Sequence, residues 1–253
     1  MRLLLSNDDG ILARGLEVLE RAATPLGDVF VVAPDREQSA TSHSLTMHHP
    51  LRPVQIAEHR WQVDGTPTDC VMLALEALLP ERPDFVLSGV NHGPNMGEDV
   101  LYSGTVAAAM EGLALGVPAV AFSFAGSVLR ADALLDDHVG TVERILRHLV
   151  ALPAFPEHTL FNVNIPPIAA AQVKGFRLTR LGRRAYSDSL TRMKDPWGRP
   201  IYWIGGGSVD WGDSAADSDF QAISDGYVSI TPLHLDLTHR EILQRSEQWW
   251  RPL

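Results

Sequence analysis

The sequence has 253 residues, of which 45% are hydrophobic and 21% are charged, and its formal net charge is -10. These values predict a soluble globular protein, either one large domain or one domain plus an extension, and argue against non-specific nucleic-acid binding. No apolar stretch is long enough for a membrane span or the apolar region of a signal peptide, and the single cysteine, Cys70, excludes an internal disulfide. We therefore expect a cytoplasmic protein without a membrane partner.

The first 33 residues predict the opening of a parallel α/β sheet. Residues 3–5 are an apolar run typical of a strand covered on both faces. Leu12, Leu16 and Leu19 recur at helical spacing, and residues 29–33 are a β-branched second strand. A strand, a helix and a second strand in this order are expected to form a right-handed parallel crossover.

A polar segment, residues 36–53, follows the second strand and is a candidate functional loop. It contains Ser39 and two adjacent histidines, His48 and His49. We interpret the histidines as surface residues, because neighbouring side chains point in different directions and no third soft ligand has a suitable spacing.

A helix is predicted over residues 67–79, after a short strand at 61–63. Thr66 suits the N-cap, Pro67 suits the first helical position, and Asp69 completes an acidic variant of the capping box. This helix is apolar nearly all round, so we expect it to be buried, with Cys70 as a core residue rather than a reactive thiol.

Alternating strands and helices continue to residue 165. Strands are predicted at 84–88, 119–124 and 161–165, helices at 106–115 and 132–151, and a glycine- and asparagine-rich loop at 89–97. This order is typical of a parallel α/β sheet.

The pattern changes after about Lys174. Residues 176–180 and 201–204 look extended, no helix is expected, and a hairpin arm is predicted. Its tryptophans, Trp197, Trp203 and Trp211, are interpreted either as a subunit contact or as packing on the parent domain. A final strand at 226–231 and a tail ending in Trp249-Trp250 follow.

An acidic turn, Asn7-Asp8-Asp9-Gly10, comes directly after the first strand. Two adjacent carboxylates there repel each other and lose hydration, and a hard divalent cation such as Mg²⁺ or Mn²⁺ would offset both costs. The alternative is a polar turn with an aspartate helix cap and a glycine bend. The position favours the cation site, because ligands bind at the carboxyl ends of strands in open α/β sheets.

Three other polar segments lie at or after strand ends: Ser39, Asn91 and Ser103-Gly104-Thr105. The last begins a predicted helix, whose free N–H groups suit phosphate, although a simple helix cap is the alternative. Combined with the acidic turn, these segments suggest metal-assisted phosphomonoester hydrolysis. Gly-x-Ser-x-Gly, Gly-x-Gly-x-x-Gly and Walker A patterns are missing, which argues against α/β-hydrolase, dinucleotide-binding and P-loop readings.

Six blocks of the sequence resemble the SurE family, the stationary-phase survival proteins with 5′/3′-nucleotidase activity. They are MRLLLSNDDG, VVAPDREQSA, VDGTPTDCV, PDFVLSGVNHGPNMGEDVLYSGTVAAAMEG, FNVNIP and GYVSITPLHLDLT. The resemblance implies one α/β domain over residues 1–253, a three-layer α/β/α sandwich with a Rossmann-like, mostly parallel sheet. It also implies a C-terminal β-hairpin arm within about 174–238 that builds homodimers or homotetramers.

The resemblance further implies the site and its chemistry. One divalent metal ion per subunit, Mg²⁺ or Mn²⁺, would be held by Asp8, Asp9, Ser39 and Asn91. The phosphate pocket would be lined by Asn7, Gly10, Asn95, Ser103, Gly104 and Thr105. The expected substrates are nucleoside 5′- and 3′-monophosphates, with short polyphosphate hydrolysed by some members.

Two details of the predicted site are left open at this point. Asp9 is the nearest candidate for the general base. His92 follows the ligand asparagine in a variable position, and we expect it to face solvent rather than the leaving group.

Two rival functions come from other classes. A receiver-like signalling module also holds Mg²⁺ with an acidic pair, but it needs a phosphoacceptor aspartate where this chain has Leu87-Ser88-Gly89. A nucleotide sensor that binds metal without turnover would be distinguished by a phosphate-release assay.

Overall fold

The structure is a computed structural model that describes residues 1–126, 134–183, 185–186, 190–204, 209–210 and 215–250. Its strands are β1 (Arg2–Ser6), β2 (Asp28–Pro34), β3 (Pro53–Ala57), β4 (Arg60–Val63), β5 (Phe85–His92), β6 (Ala119–Phe124), β7 (Leu160–Ile165), β8 (Phe176–Leu178), β9 (Ala185–Tyr186), β10 (Leu190–Lys194), β11 (Pro200–Ile204), β12 (Val209–Asp210) and β13 (Val228–Leu233). Its α-helices are α1 (Arg14–Ala23), α2 (Pro67–Leu73), α3 (Gly104–Ala114), α4 (Val139–Val150), α5 (Asp219–Ser224) and α6 (Arg240–Trp250).

Nine strands form the central sheet, in the order β3-β4-β2-β1-β5-β6-β7-β13-β8. The six strands from β4 to β7 in this order are parallel to one another, whereas β3 and β13 are antiparallel to β4 and β7. Strands β10 and β11 form a separate antiparallel hairpin. The predicted α/β fold with a mostly parallel sheet and a C-terminal hairpin is therefore confirmed.

The sheet has a hydrophobic core on each face, as the apolar run in β1 predicts. Leu3 and Leu5 lie in one buried cluster with residues of α1 and α4, and Leu4 lies in the other with residues of α2 and α3. Successive side chains of a strand point to opposite faces, so a strand covered on both sides must be apolar throughout. The result is the expected three-layer α/β/α arrangement.

The helix that contains Cys70 starts as its sequence predicts. Thr66 and Asp69 form a reciprocal capping box, and the helix continues after α2 as a π-helical turn, Ala74–Leu78. Cys70 is fully buried and burial raises the pKa of its thiol, in agreement with a core role.

Three local predictions were wrong. Leu12 is 89% exposed, because α1 begins only at Arg14 and the neighbouring Ile11 enters the core instead. Strand β3 was not expected; it begins at Pro53, the last residue of the segment predicted to be irregular. Two helices, α5 and α6, occur where none was expected; Ser218 caps α5 by accepting a hydrogen bond from the Gln221 N–H, at 3.2 Å.

The arm tryptophans are exposed where the structure describes them. Trp197 is 78% and Trp203 is 64% exposed, so neither packs on the core of its own chain. Trp211 and the start of the helix predicted at 132–151 lie outside the described residues. No helix in the described part of the chain is long and apolar enough to cross a membrane.

Candidate functional site

Hydrogen bonds stabilise the turn after β1 at both of its ends. The Asn7 side-chain amide donates to the Gly10 carbonyl oxygen at 2.9 Å, and the Ile11 N–H donates to the Pro34 carbonyl oxygen at 2.8 Å. Gly10 has a φ of +99°, and a Cβ there would lie 3.1 Å from the carbonyl carbon of Arg36, so glycine is needed at this position. The turn thus holds the two aspartates at the carboxyl end of the central strand.

Neither aspartate caps the following helix, contrary to the polar-turn alternative. The N-cap of α1 is Ala13, and no side chain caps it. The Asp8 carboxylate accepts a hydrogen bond from the Thr105 hydroxyl, and Asp9 Oδ2 accepts one from the His92 N–H at 3.2 Å. Both carboxylates therefore face other strand and helix ends rather than the helix that follows them.

Burial dominates the electrostatics of the pair. Burial raises the pKa of Asp8 to about 6; the Thr105 hydroxyl opposes the shift, and the Asp9 charge adds to it. Burial also raises the pKa of Asp9, opposed by His92 and increased by Glu37. An ionised pair is thus costly in the absence of a cation, and a divalent ion would remove that cost.

The start of α3 lies against Asp8. Ser103 is its N-cap, and the Ser103 hydroxyl oxygen accepts from the Val106 N–H at 3.0 Å. A Cβ on Gly104 would lie only 2.7 Å from the Asp8 Cβ, so the helix approaches the aspartate closely because residue 104 has no side chain. The structure therefore brings Ser103-Gly104-Thr105, the predicted phosphate-binding segment, to the acidic turn.

Strand β5 ends beside Asp9 at His92, the residue that follows Asn91. The strand runs on to His92, so Asn91 lies in a strand rather than in the predicted loop. The register of β5 with β6 shifts between Ser88 and Asn91, where Gly89 has a φ of +124°; this irregularity is not visible in a hydrophobic pattern. The Asn91 side-chain amide donates to the Gly93 carbonyl oxygen at 2.9 Å.

The expectation that His92 faces solvent was wrong. The residue is half-buried, its Nε2 atom is buried, and its backbone N–H binds Asp9. His92, the residue after Asn91, is held beside Asp9 because β5 continues beyond its predicted end.

The loop between β2 and β3, residues 35–52, reaches the acidic turn through its backbone. The Gln38 N–H donates to the Asp8 carbonyl oxygen at 2.7 Å. Ser39 is exposed, and its hydroxyl donates to Glu37 Oε1 at 2.7 Å rather than to either aspartate. The segment that carries Ser39 is thus at the site, and Glu37, which the sequence did not single out, binds the Ser39 hydroxyl and raises the pKa of Asp9 through its charge.

Asn95 lies after β5 and is held by side chains of β6 and β7. Its N–H donates to Asn164 Oδ1 at 2.9 Å, its side-chain amide donates to Ser123 Oγ at 2.8 Å, and its carbonyl oxygen accepts from Asn162 at 2.8 Å. None of these bonds involves the acidic turn. The sequence signal for this buried polar network was the alternation of asparagines in the otherwise apolar strand FNVNI.

The donor groups suit a hard divalent cation. The described residues contain no group of three or more His, Cys, Asp or Glu side chains placed to hold a metal ion, so a cation here would also need neutral oxygen ligands. Asp8 and Asp9 directly follow Asn7 in the chain, and the buried Asn7 Oδ1 is an acceptor that has no hydrogen-bond donor in the described structure. Such an orphaned acceptor, adjacent in the chain to two aspartates, fits a cation or a hydrated ligand.

The family model "Survival protein SurE" matches residues 3–188, which include every predicted site residue. This chain belongs to the SurE family. A relative named 5'-nucleotidase SurE from Gemmatimonas aurantiaca is 73% identical over 251 residues, 99% of each chain. The 5'-nucleotidase SurE of Vibrio cholerae serotype O1 is 48% identical over 250 residues, 98% of this chain and 97% of the relative.

The fold agrees with that of a solved SurE structure. The crystal structure of the SurE protein from Aquifex aeolicus superposes with a TM-score of 0.87 at 42% identity, covering 98% of this chain and 99% of that one. The resemblance to the SurE family in the sequence blocks is thereby confirmed over nearly the whole chain.

Proposed function

We propose that this protein is a divalent-metal-dependent phosphomonoesterase that hydrolyses nucleoside 5′- and 3′-monophosphates to nucleoside and phosphate. The observation that carries the proposal is the bond between the Thr105 hydroxyl and the Asp8 carboxylate, which joins a candidate cation site to a helix start. Relatives named 5'-nucleotidase SurE along nearly the full chain support the nucleotide substrate. Short polyphosphate, a chain of phosphates joined by phosphoanhydride bonds, is a further proposed substrate.

We propose that one Mg²⁺ or Mn²⁺ ion per subunit is held by Asp8, Asp9, Ser39 and Asn91. When bound, the ion supplies polarisation of the phosphoryl group and acidifies water. Ser39 would turn its hydroxyl oxygen from Glu37 toward the ion, which a small exposed side chain does at little cost.

The start of α3 is the proposed phosphate-binding element. The first N–H groups of a helix lack intrahelical acceptors and carry partial positive charge, so Ser103, Gly104 and Thr105 would donate to phosphoryl oxygens. Asn7, Gly10 and Asn95 are proposed to line the rest of the pocket. In an acidic protein these local donors and the cation would offset the repulsion between the chain and an anionic substrate.

Asp9 is the proposed general base. It is less buried than Asp8, so its carboxylate is the more accessible of the two to an attacking water. Burial raises the pKa of its carboxyl, which makes it a better proton acceptor than an exposed aspartate.

The proposal predicts phosphate release from nucleoside monophosphates that stops in EDTA and returns with Mn²⁺ or Mg²⁺. The assay compares 5′-AMP, 3′-AMP, the other bases and short polyphosphate under these conditions. Metal-dependent binding of AMP without phosphate release would instead favour the nucleotide sensor. The receiver-like rival has no support in β5, because that strand contains no aspartate.

We also propose that the arm within residues 174–238 of this single α/β chain joins homodimers or homotetramers. Strands β10 and β11 are exposed along their length, with Ile204 90% and Trp203 64% exposed. Large apolar side chains exposed in this number on one hairpin are typical of a protein–protein contact.

Replacing Trp203 and Ile204 with serine is expected to shift the assembly toward monomers in sedimentation equilibrium. Leu12→Ser is the matched control, because Leu12 is an equally exposed apolar residue outside the arm. A monomeric wild-type chain at micromolar concentration, or an unchanged assembly in the double variant, would contradict this role.

A cytoplasmic location remains our proposal. The single cysteine cannot form an internal disulfide, as expected in a reducing compartment, and the net charge of -10 disfavours a nucleic-acid partner.

A further inference from the structure

Helix α3 carries a buried carboxylate that the proposed chemistry does not use. Glu111 lies about two turns after Ser103 and is only 6% exposed. Its Oε2 is 2.7 Å from Nε2 of His43, which lies in the loop between β2 and β3. A buried carboxylate is costly unless it is partnered, so this pair needs an explanation of its own.

His43 directly follows Ser42, whose two hydrogen bonds join the loop to the segment before α3. The Ser42 hydroxyl donates to the Leu101 carbonyl oxygen at 2.7 Å, and the Ser42 N–H donates to the Tyr102 carbonyl oxygen at 3.2 Å. Ala40 and Ser42 have φ values of 58° and 54°, a left-handed conformation that residues other than glycine adopt only when the surroundings hold them.

The loop is also tied to the start of α2. The Thr46 N–H donates to Asp69 Oδ1 at 2.9 Å, and the Thr66 hydroxyl donates to the Ser44 carbonyl oxygen at 2.8 Å. The far end of the same loop reaches the site, where the Gln38 N–H binds the Asp8 carbonyl oxygen. Residues 39–41, including Ser39, therefore lie between the hydrogen bond of Gln38 to the acidic turn and the hydrogen bonds made by residues 42–46.

We propose that the Glu111–His43 pair positions this loop so that Ser39 can reach a cation at Asp8 and Asp9. Glu111 and His43 are positioning residues, since neither touches substrate or cation. Their effect is on the affinity of the site for the ion, because a displaced ligand weakens binding before it alters the chemistry. The inference rests on the proposed metal-dependent function.

The test compares His43→Ala, Glu111→Ala, Glu111→Gln and the His43→Ala/Glu111→Ala double variant with the wild type. Mn²⁺ binding is measured directly, from the electron paramagnetic resonance signal of free Mn²⁺, and the loop is followed by hydrogen exchange of the Ser42 and Thr46 amides. Glu143→Gln is the control, since it removes an ion pair with Arg147 on α4, away from the loop.

Each alanine variant is expected to raise the Mn²⁺ dissociation constant by about tenfold or more and to speed exchange of both loop amides. The double variant should bind Mn²⁺ no more weakly than either single alanine variant, because the pair acts as a unit. Glu111→Gln should lose less Mn²⁺ affinity than Glu111→Ala, since its amide oxygen still accepts a hydrogen bond from His43. At saturating Mn²⁺ the turnover of each variant should stay within about twofold of the wild type.

A lower melting temperature with an unchanged Mn²⁺ dissociation constant would overturn the inference, because the pair would then serve only stability. His43→Ala keeps the test decisive if Glu111→Ala does not fold, since the His43 side chain is 36% exposed in a loop. If the wild-type chain binds no Mn²⁺, the metal proposal itself is overturned. If the wild type binds Mn²⁺ and the variants bind it equally well, only the positioning role of the pair is overturned.

Discussion

Asp8→Asn is expected to abolish phosphate release, by roughly 10³-fold or more, while raising the melting temperature of the metal-free protein. The loss follows from removing one charge of the proposed cation site. The gain follows from burial, because Asp8 is only 4% exposed and its pKa is raised from 3.8 to about 6. An asparagine at this position keeps an oxygen that accepts from Thr105 and carries no buried charge.

The sign of the stability effect depends on pH. As pH rises from about 4 to about 6, the unfolded chain releases the Asp8 proton while the folded chain still holds it, so stability falls across that window. Above about pH 6 the full penalty applies, up to about 3 kcal/mol for a shift of this size. The stabilisation by Asp8→Asn should therefore be largest near pH 8 and disappear near pH 4.

Thermal unfolding in EDTA at several pH values measures this effect, which corresponds to roughly 5–10 °C in melting temperature. With added Mn²⁺ the wild type should melt at a higher temperature than Asp8→Asn, because the ion stabilises only the wild-type site. Asp64→Asn is the control, and it is expected to lower the melting temperature. The Arg52 N–H lowers the pKa of the Asp64 carboxyl, so the charge of Asp64 stabilises the fold. Full turnover by Asp8→Asn, or a lower melting temperature in EDTA near pH 8, would contradict the assignment.

Gly104→Ala is expected to lower kcat/KM by about 10²-fold. The added Cβ would lie 2.7 Å from Asp8 Cβ and 2.9 Å from Asp8 Oδ2, closer than folded proteins permit. Asp8 or the start of α3 must therefore move, and a shift of this kind separates the proposed phosphate donors from the acidic turn. Steady-state kinetics with 5′-AMP at saturating Mn²⁺ measure the loss.

Gly140→Ala provides the matched control for that substitution. Gly140 also lies in the first turn of a helix, α4, and a Cβ there would meet nothing within 4 Å. It should stabilise the protein by up to about 1 kcal/mol through helix propensity and leave kcat/KM unchanged. Activity of Gly104→Ala within twofold of the wild type would show that the helix start does not need its close approach to Asp8.

Several elements follow from local sequence because their cause is local. The apolar run 3–5 requires burial on both faces, and the Thr66–Asp69 capping box satisfies its own helix end. Helix α5 was missed because it has only six residues, too few to show a helical period. Leu12 was misplaced because the turn that precedes α1 is set by contacts with β2 rather than by periodicity.

The sequence alone determined which polar segments are candidates for the site, because strand ends of a parallel sheet share one edge. The acidic pair, Ser39, Asn91 and the Ser103-Gly104-Thr105 helix start became candidates in this way, and the resemblance added Asn95 and the ligand roles of Ser39 and Asn91. The sequence did not determine which groups touch, since hydrogen bonds between residues 97 positions apart, such as Thr105 to Asp8, exist only after the sheet is assembled.

Tertiary structure decided the properties of the acidic pair. Burial, which no local pattern encodes, raises the pKa of Asp8 to about 6 and makes a cation favourable there. The continuation of β5 to His92 decided that a backbone N–H, rather than solvent, faces Asp9. The anchoring of the loop by Glu111 and His43 likewise depends on a helix face and a distant loop that meet only in the folded chain.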